Sequence, residues 1–562
     1  MRAFLVKIKK QKITFLLLLL IIILAAYLRL SGFNWALPRQ PYYRAGYQDE
    51  AFVINMLLTI NPRDYNPHYF INPTFHYYTL LLAIKSAYAL GYIKNFAHPV
   101  LTNLQGQPIE KITLNDYQRI YTICRIVVSI EGILTALLVY LIGQALYNTQ
   151  IGLIAGFIFA ILPTHVFQSH LFVVDAPAVF WEMVGVYYLA RMLNKKKIFQ
   201  SNFIISGILL GLALGTKYMN ILLIFTFIAI ILIKERKIIW KNLILTFSLM
   251  LIVFLLTTPH ALLSWREFLF GNVDEFGGIF GKKGLLAYNN YPTNPFKPFA
   301  YMIYYSLRLP LALLAFVALG YVILRRNNSD KIILSFLVPF YLIMTISPSP
   351  HLRHSLPALP FLALAIATTL IGLAQEIKNR YLQYIFAGYS AGALIYTFLF
   401  TEAMVDRMRY PDTRLEAADW FFKNIPAQTS VGAATVLPFR YTPPIELPSN
   451  EGNAVGKTDD EAIKQLYYKL IKTNYDYYSL LHHKPEYFVI TQVECEEMPY
   501  NQVGEVNARN FIRTLFKEEH YSLVKVFERK YNILGFKFDP DFPNLDWNPV
   551  SQKIYIFRKK FE

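Results

Sequence analysis

The chain has 562 residues, of which 55% are hydrophobic and only 16% are charged, and its formal net charge is +18. Soluble domains carry roughly 25% charged residues, so the composition excludes an ordinary soluble protein, and it equally excludes a disordered or collagen-like chain. The positive charge follows no nucleic-acid-binding pattern, and in a membrane protein such a surplus marks cytoplasmic loops and contacts with anionic headgroups. We therefore expect a membrane protein that contacts membrane lipids and binds no nucleic acid.

The N-terminus carries lysines at positions 7, 9, 10 and 12, followed by the apolar run 13–30. A signal peptide has an apolar core of roughly 7–15 residues and a cleavage site of small residues. This run is longer, so it is predicted to be a retained transmembrane helix that starts in the cytoplasm. We interpret residues 31–118 as a first outer loop. Within this loop, the short aromatic segment 73–92 is bordered by lysines, which favours an interfacial helix.

Ten further apolar stretches of helix length predict about eleven spans in all. They lie near 119–147, 150–166, 176–194, 202–217, 219–233, 240–260, 301–324, 332–347, 355–373 and 383–401. The stretch 202–233 is divided at residues 216–218, because a lysine at the centre of a bilayer costs about 3 kcal/mol. With this division, four basic clusters fall on the starting side, as the positive-inside rule requires. The C-terminus is then outside the cell.

Beyond residue 401 the apolar runs shorten and charged residues return. Helical patterns and strand patterns alternate there. The helical patterns lie at 412–424, 459–472 and 506–517, and the strand patterns at 430–437, 487–491, 523–527 and 553–557. The predicted fold class is therefore a polytopic α-helical membrane protein of the cell membrane. Its transmembrane domain covers residues 1–401, and an extracytoplasmic α/β domain covers residues 402–562.

The first candidate for catalysis is the acidic pair Asp49-Glu50. A solvated pair in an outer loop is the plain structural interpretation, since acidic side chains are mostly exposed. However, the pair follows the first span by only about 20 residues and is flanked by the apolar residues 51–53, where solvation is less assured. The Pro- and aromatic-rich segment 66–76 that follows is typical of a packed cap.

The second candidate is Asp175, which opens a long apolar helix two residues before Pro177. An aspartate in this position suits an N-cap, which is the structural interpretation. The predicted topology also puts Asp175 on the same side of the membrane as Asp49, at similar depth. Two such carboxylates can supply a general base and a group that holds the base or a cation.

Three basic residues lie on the same predicted face. For Arg308, the sequence favours a side chain that reaches the lipid headgroups. Lys217 and Arg353 interrupt apolar sequence at the edge of the membrane core, where a cation needs an anionic partner. Headgroup contact satisfies that need, and so does a bound phosphate, because Arg offers bidentate donors and Lys a point charge.

Histidines on this face are candidates for substrate binding. They are His68 in the first outer loop, and His351 and His354 on either side of Arg353. No spacing of the type H-E-x-x-H marks a metal-binding pair. One acidic pair with one further aspartate is a thin ligand set for a divalent cation. We therefore assign no certain cofactor and leave a divalent metal open.

In this order, the residues resemble the dolichyl-phosphate-mannose protein mannosyltransferases of glycosyltransferase family 39 and their bacterial and archaeal relatives, including the aminoarabinose transferases that act on lipid A. The resemblance covers residues 10–440 and depends on several motifs. These are Asp49-Glu50, segments 66–70 and 72–78, Arg125, Leu171–Asp175, Gly211–Lys217, Thr257–His260 and His351–Pro360. His354 stands where the family usually has Tyr. Asn72 stands where the lipid A branch tends to have Lys, which argues against that substrate.

The resemblance implies the membrane-embedded fold of the C-type glycosyltransferases and a donor sugar carried on a polyprenyl monophosphate. The acceptor would be a protein, a lipid or a glycan. In this scheme Asp49 is the base that takes the proton of the acceptor hydroxyl, and Asp175 orients substrate or the cationic groups. Lys217 and Arg353 stabilise the charge that develops on the leaving phosphate.

Two other classes fit part of the sequence. A membrane transporter would explain charges near helix ends, but it predicts internal repeats, which the sequence lacks, and it leaves the large outer domain without a purpose. An adhesion or sensor protein would explain the outer domain, but eleven spans exceed what an anchor needs. The sequence alone does not specify the sugar or the acceptor.

Overall fold

The structure is a computed structural model that describes residues 2–38, 48–94, 114–236, 239–270, 296–346, 352–434, 443–445, 468–496, 504–517, 519–538 and 552–560. Internal contacts divide the chain into two compact units. Unit 1 consists of Met1–Ser31, Ile60–Ile84 and Ile123–Glu402, and unit 2 consists of Gly32–Thr59, Lys85–Thr122 and Ala403–Glu562.

The elements are numbered in chain order over the described residues. The helices are α1 (Arg2–Leu30), α2 (Gln48–Thr59), α3 (Phe75–Ala89), α4 (Leu114–Leu146), α5 (Thr149–Ala160), α6 (Pro163–Gln168), α7 (Asp175–Leu193), α8 (Gln200–Thr216), α9 (Leu223–Glu235), α10 (Trp240–Thr257), α11 (His260–Leu263), α12 (Trp265–Phe270), α13 (Phe296–Leu307), α14 (Leu309–Arg325), α15 (Asn328–Ile346), α16 (Leu359–Glu376), α17 (Arg380–Met408), α18 (Thr413–Asn424), α19 (Tyr477–His483), α20 (Gln492–Glu496) and α21 (Glu505–Phe516). Two 3-10 helices, Tyr218–Leu222 and Leu352–Ala358, precede α9 and α16. The strands are β1 (Ser430–Ala433), β2 (Lys469–Lys472), β3 (Tyr487–Thr491), β4 (Tyr521–Phe527), β5 (Tyr531–Ile533), β6 (Phe536–Phe538) and β7 (Ile554–Lys559).

Unit 1 is a helical bundle with one large apolar core. Among the described residues, six helical stretches are long and apolar enough to cross a membrane. They are Gln11–Leu30, Asn115–Leu146, Tyr218–Glu235, Trp240–Thr257, Leu352–Glu376 and Arg380–Asn424. Shorter apolar helices lie at Thr149–Ala160, Gln200–Thr216 and Leu309–Arg325. The predicted polytopic helical class is confirmed, whereas the total of eleven spans stays a prediction.

Two stretches that were each predicted as one span are broken in the structure. The stretch 150–166 divides into α5 and α6 ahead of Pro163, because proline cannot donate the backbone hydrogen bond that would continue the helix. The stretch 301–324 divides into α13 and α14 at Arg308, whose φ of +66° lies outside the helical region. Pro310, in the first turn of α14, was the available signal for this second break, because proline is favoured at the start of a helix and disfavoured in its interior.

Unit 2 contains a five-stranded sheet in the order β2-β1-β3-β7-β4. Strand β1 pairs in parallel with β2 and β3, and β7 pairs antiparallel with β3 and β4. Because successive side chains of a strand point to opposite faces, each face of the sheet has its own apolar core, one with α18 and one with α19 and α21. The predicted C-terminal α/β character is therefore confirmed.

Three details of this region differ from the sequence prediction. The prediction of a helix over 459–472 is wrong for its last residues, because Lys469–Lys472 form strand β2. Pairing with β1 in the sheet overrides the helical pattern of the sequence there. Its earlier part lies outside the described residues, as does the end of the strand predicted over 430–437. The sequence also did not predict α19 or the two-stranded hairpin of β5 and β6.

Candidate active site

Close packing between α8 and α10 fixes the end of α8. Gly207, Gly211 and Gly215 recur at every fourth residue of α8, so they lie on one face of the helix. A Cβ atom at Gly207 would lie 2.6 Å from the carbonyl oxygen of Thr246, and one at Gly211 would lie 2.6 Å from Cβ of Val253. Small residues at this spacing let membrane helices approach closely.

Lys217 lies directly after α8, at the break that the sequence predicted at residues 216–218. Its backbone is extended, with φ −151° and ψ 135°, and the 3-10 helix Tyr218–Leu222 follows. The amide of Asn220 bridges the break, because its Nδ2 donates to the carbonyl oxygens of Ala213 at 2.9 Å and Ala178 at 3.1 Å. The break is therefore held by specific hydrogen bonds to α7 and α8.

Nζ of Lys217 donates to Oδ1 of Asp175, the first residue of α7. The side chains are only 10% and 7% exposed, respectively. This geometry excludes headgroup contact as the role of Lys217. It also differs from the N-cap interpretation of Asp175, since Val174 is the N-cap residue of this helix and its side chain makes no capping hydrogen bond. The structure thus brings together the predicted carboxylate and the predicted cation as one buried ion pair.

A third ionisable side chain belongs to this neighbourhood and was missed by the sequence analysis. Glu182 lies two helical turns after Asp175 on α7, so it shares that face of the helix. It is fully buried, and within the described part of the chain neither carboxylate oxygen has a hydrogen-bond partner. An acidic residue inside the apolar stretch 176–194 was the available signal, because ionisable residues within membrane segments are rare and mark functional sites.

Arg353 and His354 lie on the 3-10 helix Leu352–Ala358 and are both half-buried. This short helix packs against α6 and α7, the helix that begins with Asp175. It is tied to α13 through Oγ of Ser355, which lies 2.6 Å from Oγ of Ser306. His351 lies outside the described residues.

The segment that precedes α3 packs on the loop between α10 and α12, as expected for a cap rather than an open loop. Oγ1 of Thr74 donates to the carbonyl oxygen of Thr257 at 2.7 Å. His68, the candidate substrate-binding residue here, has a largely exposed side chain whose Nδ1 lies 2.8 Å from Oε1 of Glu267. The pairing with Glu267 gives His68 a structural contact in addition to any role with substrate.

His76 connects this segment to the start of α7. Its Nε2 lies 3.2 Å from the carbonyl oxygen of Phe172, and the charge of Asp175 acts on the ring. Burial lowers the pKa of His76 to about 4, against the opposing effects of that hydrogen bond and of Asp175. The imidazole is therefore neutral at pH 7.

Asp49 and Glu50 lie in the first turn of α2, which belongs to unit 2. Negative side chains are favoured there because the N-terminal end of a helix carries partial positive charge. Glu50 is fully buried and Asp49 is half-buried. The interpretation of the two residues as a solvated pair is thus wrong for Glu50, while Asp49 keeps one part of its side chain exposed.

Arg308 was expected to reach the headgroups, and this expectation is wrong. The residue is buried at the break between α13 and α14, and its guanidinium lies 4.3 Å from the ring centroid of Phe400. Cation–π contact satisfies a buried arginine in a way that sequence spacing does not reveal, since the two residues are far apart in the chain.

The described residues also bear on the divalent metal that the sequence left open. Within them, no three His, Cys, Asp or Glu side chains lie close enough together to hold a metal ion. Asp175, a conceivable ligand, instead accepts from Lys217. The residues present support no firm cofactor.

Comparison with known proteins gives a family match over part of the chain and a similarity of fold. Residues 118–265 match the model of the dolichyl-phosphate-mannose-protein mannosyltransferase family. This segment includes both members of the Asp175–Lys217 pair, and the match confirms the resemblance that the sequence motifs indicated. No curated protein sequence matches the chain.

Solved structures share the fold at low sequence identity. The Archaeoglobus fulgidus oligosaccharyltransferase in its apo form is 13% identical with a TM-score of 0.50, and the match covers 92% of this chain and 73% of that one. The Archaeoglobus fulgidus oligosaccharyltransferase AglB, in complex with an inhibitory peptide and a dolichol-phosphate, is also 13% identical with a TM-score of 0.50. This match covers 95% of this chain and 75% of AglB. ArnT from Cupriavidus metallidurans, in the apo state, is 12% identical with a TM-score of 0.46, covering 98% of both chains. The predicted fold is therefore confirmed as one that this chain shares with the archaeal oligosaccharyltransferase.

Proposed function

We propose that this chain is a membrane glycosyltransferase that transfers a sugar from a polyprenyl-phosphate donor to an acceptor at the outer face of the membrane. The observation that carries the proposal is the buried Asp175–Lys217 pair, which orients a cation at a helix break within the segment that matches the mannosyltransferase model. A polyprenyl monophosphate leaves as an anion, so its departure needs positive charge rather than a general acid.

Lys217 and Arg353 are the proposed phosphate-binding residues. The ammonium group of a lysine has three N–H donors, and Asp175 engages one of them, which leaves two that can point toward phosphate oxygens. In this role Asp175 is a positioning residue, because it acts on the substrate through Lys217. Arg353 adds a planar pair of donors that suits phosphate, and it lies on a helix packed against α7.

Asp49 is the proposed general base. An oxygen of the acceptor hydroxyl attacks the anomeric carbon of the donor sugar, and the bond between that carbon and the phosphate oxygen breaks. The hydroxyl proton passes to the carboxylate of Asp49, and the polyprenyl phosphate leaves with the electron pair. Glu50 supports the start of α2 from its buried position. His68, His351 and His354 are proposed to contact the substrates.

The acceptor is a protein, a lipid or a glycan, and its hydroxyl group is what the proposed chemistry requires. One protein of the same fold was solved with an inhibitory peptide and a dolichol-phosphate. That complex supports a lipid-linked donor for the fold in general. Membrane lipids surround the spans, and the reaction needs no nucleic acid.

We further propose that the N-terminus is cytoplasmic and that residues 402–562 lie outside the cell. The basic clusters on one side of the predicted spans support this topology. Single cysteines at Lys196 and Val506 test it in intact cells with an impermeant thiol reagent. We expect labelling at position 506 and none at 196; the reverse result would contradict the topology.

The function is tested by incubating the purified full-length chain, in nanodiscs, with a panel of radiolabelled polyprenyl-phosphate sugars, with and without EDTA. We expect sugar transfer, or slow donor hydrolysis in the absence of acceptor, for at least one donor. An Asp49→Asn variant, which should fold and bind donor like the parent, serves as the negative control. If substrate crossed the membrane of reconstituted vesicles while every donor stayed intact, the glycosyltransferase proposal would be contradicted and a transporter function favoured.

A further inference from the structure

The β5–β6 hairpin in unit 2 ends in a turn of unusual composition. Its two turn residues, Leu534 and Gly535, have φ values of +49° and +83°, as in a type I′ turn. Such turns favour Asn-Gly, because both positions need a positive φ, which a bulky side chain rarely adopts. Leucine at this position is therefore not explained by the backbone.

Packing does not explain the turn residues either. Leu534 is 82% exposed and the neighbouring Phe536 is 57% exposed. Large apolar side chains grouped at an exposed tip mark interaction surfaces. The tip therefore carries an apolar leucine at position 534, where both solubility and the geometry of the turn favour asparagine.

Two exposed lysines flank the tip, Lys530 ahead of β5 and Lys537 within β6. Lysine is depleted in the interfaces between proteins. Basic residues around apolar and aromatic side chains are instead typical of segments that lie in the interface of an anionic membrane. The charge pattern therefore favours a lipid surface over a protein partner.

The base of the hairpin is attached to the end of a membrane-crossing helix. Tyr531, the first residue of β5, is buried, and the guanidinium of Arg407 lies 3.8 Å from its ring centroid. Arg407 is in the last turn of α17, six residues beyond the end of the predicted span at 401. At 1.5 Å per residue this is about 9 Å along the helix, which reaches the outer edge of a headgroup layer about 5–8 Å thick on each side of the bilayer.

A second contact attaches the segment just ahead of β5 to the residues that follow α17. Arg529 stacks 4.7 Å from the ring centroid of Tyr410 and pairs with Glu416 on α18. The hairpin cannot swing freely away from the helix end, because contacts hold the chain at residues 529 and 531. The hairpin is therefore held at the C-terminal end of α17.

We propose that the tip of this hairpin, Leu534–Phe536, inserts into the headgroup layer of the membrane that α17 crosses, and that Lys530 and Lys537 bind anionic lipid headgroups. The hairpin then acts as a second attachment of the C-terminal α/β region to the bilayer. This attachment holds independently of the reaction that the protein catalyses.

The depth of the tip is measured with a nitroxide label on Leu534→Cys in the full-length chain, in nanodiscs that contain phosphatidylglycerol. Cys495→Ser provides the background, since the other cysteine, Cys124, is buried. Val506→Cys is the matched control, because Val506 is 74% exposed on α21 of the same unit. We expect the ratio of oxygen to nickel-chelate accessibility to be several-fold higher at position 534 than at 506. Equal ratios, or shielding of position 534 from both reagents as by a protein partner or a second copy, would overturn the proposal.

A second variant separates membrane insertion from turn stability. Leu534→Asn creates the Asn-Gly pair that a type I′ turn favours, so thermal stability in detergent should be unchanged or higher. With a label on Phe536→Cys, the same substitution should lower the oxygen-to-nickel ratio several-fold toward the value of a water-exposed site. The matched Val506→Asn variant should leave that ratio unchanged. A purely structural role for the turn predicts no change of the ratio in either variant.

Discussion

Two buried ion pairs at helix starts, one in each unit, differ in the sequence distance that they bridge. In unit 2, Asp412 caps α18, and its carboxylate accepts from the backbone N and Nε of Arg414, both at 2.8 Å, and from Nη2 at 2.9 Å. In unit 1, Asp175 accepts from Lys217, which is 42 residues away at the break between two helices. One pair is local, and the other joins two separate elements.

This difference indicates different roles for two otherwise similar groups. The local pair satisfies the orphan N–H groups of its own helix, which is what an N-cap does. In the long-range pair Asp175 is not the N-cap residue of its helix, and it holds in place a cation whose ammonium group has two further donors. Asp49 lies in the first turn of a third helix, α2, and is only half-buried. The difference is consistent with a cap at Asp412 and with the proposed positioning role of Asp175, and the proposed role of Asp49 in proton transfer has to be tested separately.

The largest expected effect is at Asp49. Asp49→Asn keeps the size of the side chain but removes its ability to accept a proton. We expect the turnover rate to fall about 10²–10⁴-fold, with donor affinity and thermal stability nearly unchanged. The measurement is sugar transfer at saturating donor, with donor binding measured separately.

Glu50→Gln is the matched control for that change, since the two residues are adjacent in the first turn of α2. Glu50 is fully buried, so we expect Glu50→Gln to reduce the thermal midpoint more than Asp49→Asn does, and the rate less. A well-folded Asp49→Asn enzyme with close to the parent rate would remove Asp49 from the mechanism and direct attention to Glu50 or Asp175.

The next prediction concerns the long-range pair. Lys217→Met leaves Asp175 buried without its lysine, which should lower the free energy of unfolding by about 3–5 kcal/mol. It also removes charge-assisted hydrogen bonds to phosphate, each worth about 1.5–3 kcal/mol, so we expect donor affinity to fall at least about 10-fold. Thermal unfolding and binding of a radiolabelled donor measure the two effects separately.

The double variant Asp175→Asn/Lys217→Met distinguishes the proposed role from a structural one. Replacing both charges should recover much of the stability, because a neutral pair avoids the cost of a buried uncompensated charge. Donor affinity should stay low, since no cation is restored. If the double variant regained both stability and donor affinity, the pair would have only a structural role, like Asp412 and Arg414.

The sequence predicted the break at Lys217 and the candidacy of Asp175, because a charged residue in an apolar run is costly and therefore visible. It did not predict that the two side chains pair, since a contact across 42 residues depends on how α7 and α8 pack. For the same reason it missed the stacking of Arg308 on Phe400. The β5–β6 hairpin escaped prediction because strands of three residues are too short to show a period.

A smaller effect is expected from pH at the Asp175 end of unit 1. Burial lowers the pKa of His76 and of His170 to about 4, whereas an unfolded histidine has a pKa near 6.5. Between these values the unfolded state binds more protons, so stability is fully present above pH 6.5 and is lost as the pH falls toward 4. Each histidine contributes up to about 3 kcal/mol to this loss.

Thermal unfolding at pH 7.5 and pH 5 measures this dependence in the full-length protein. His76→Asn and His170→Asn should each reduce the difference between the two midpoints, because the substituted side chain does not titrate. If the double variant His76→Asn/His170→Asn kept the parent's difference between the midpoints at pH 7.5 and pH 5, other groups would cause the acid sensitivity.

The smallest expected effect on donor binding and turnover is at the local pair, and it completes the comparison. Asp412→Ala removes the N-cap of α18, which is worth about 0.5–2 kcal/mol of stability, and it also leaves Arg414 buried without its carboxylate, a loss of the same kind as that in Lys217→Met. Asp412→Asn should cost less, since asparagine is also a good cap. Both variants should bind donor and turn over like the parent at a temperature well below their midpoints, because the cap orients no group of the proposed site. Asp412→Ala could instead lower donor affinity as strongly as Lys217→Met does. In that case the sequence separation between the two partners of an ion pair would not indicate whether its aspartate is a cap or a positioning residue.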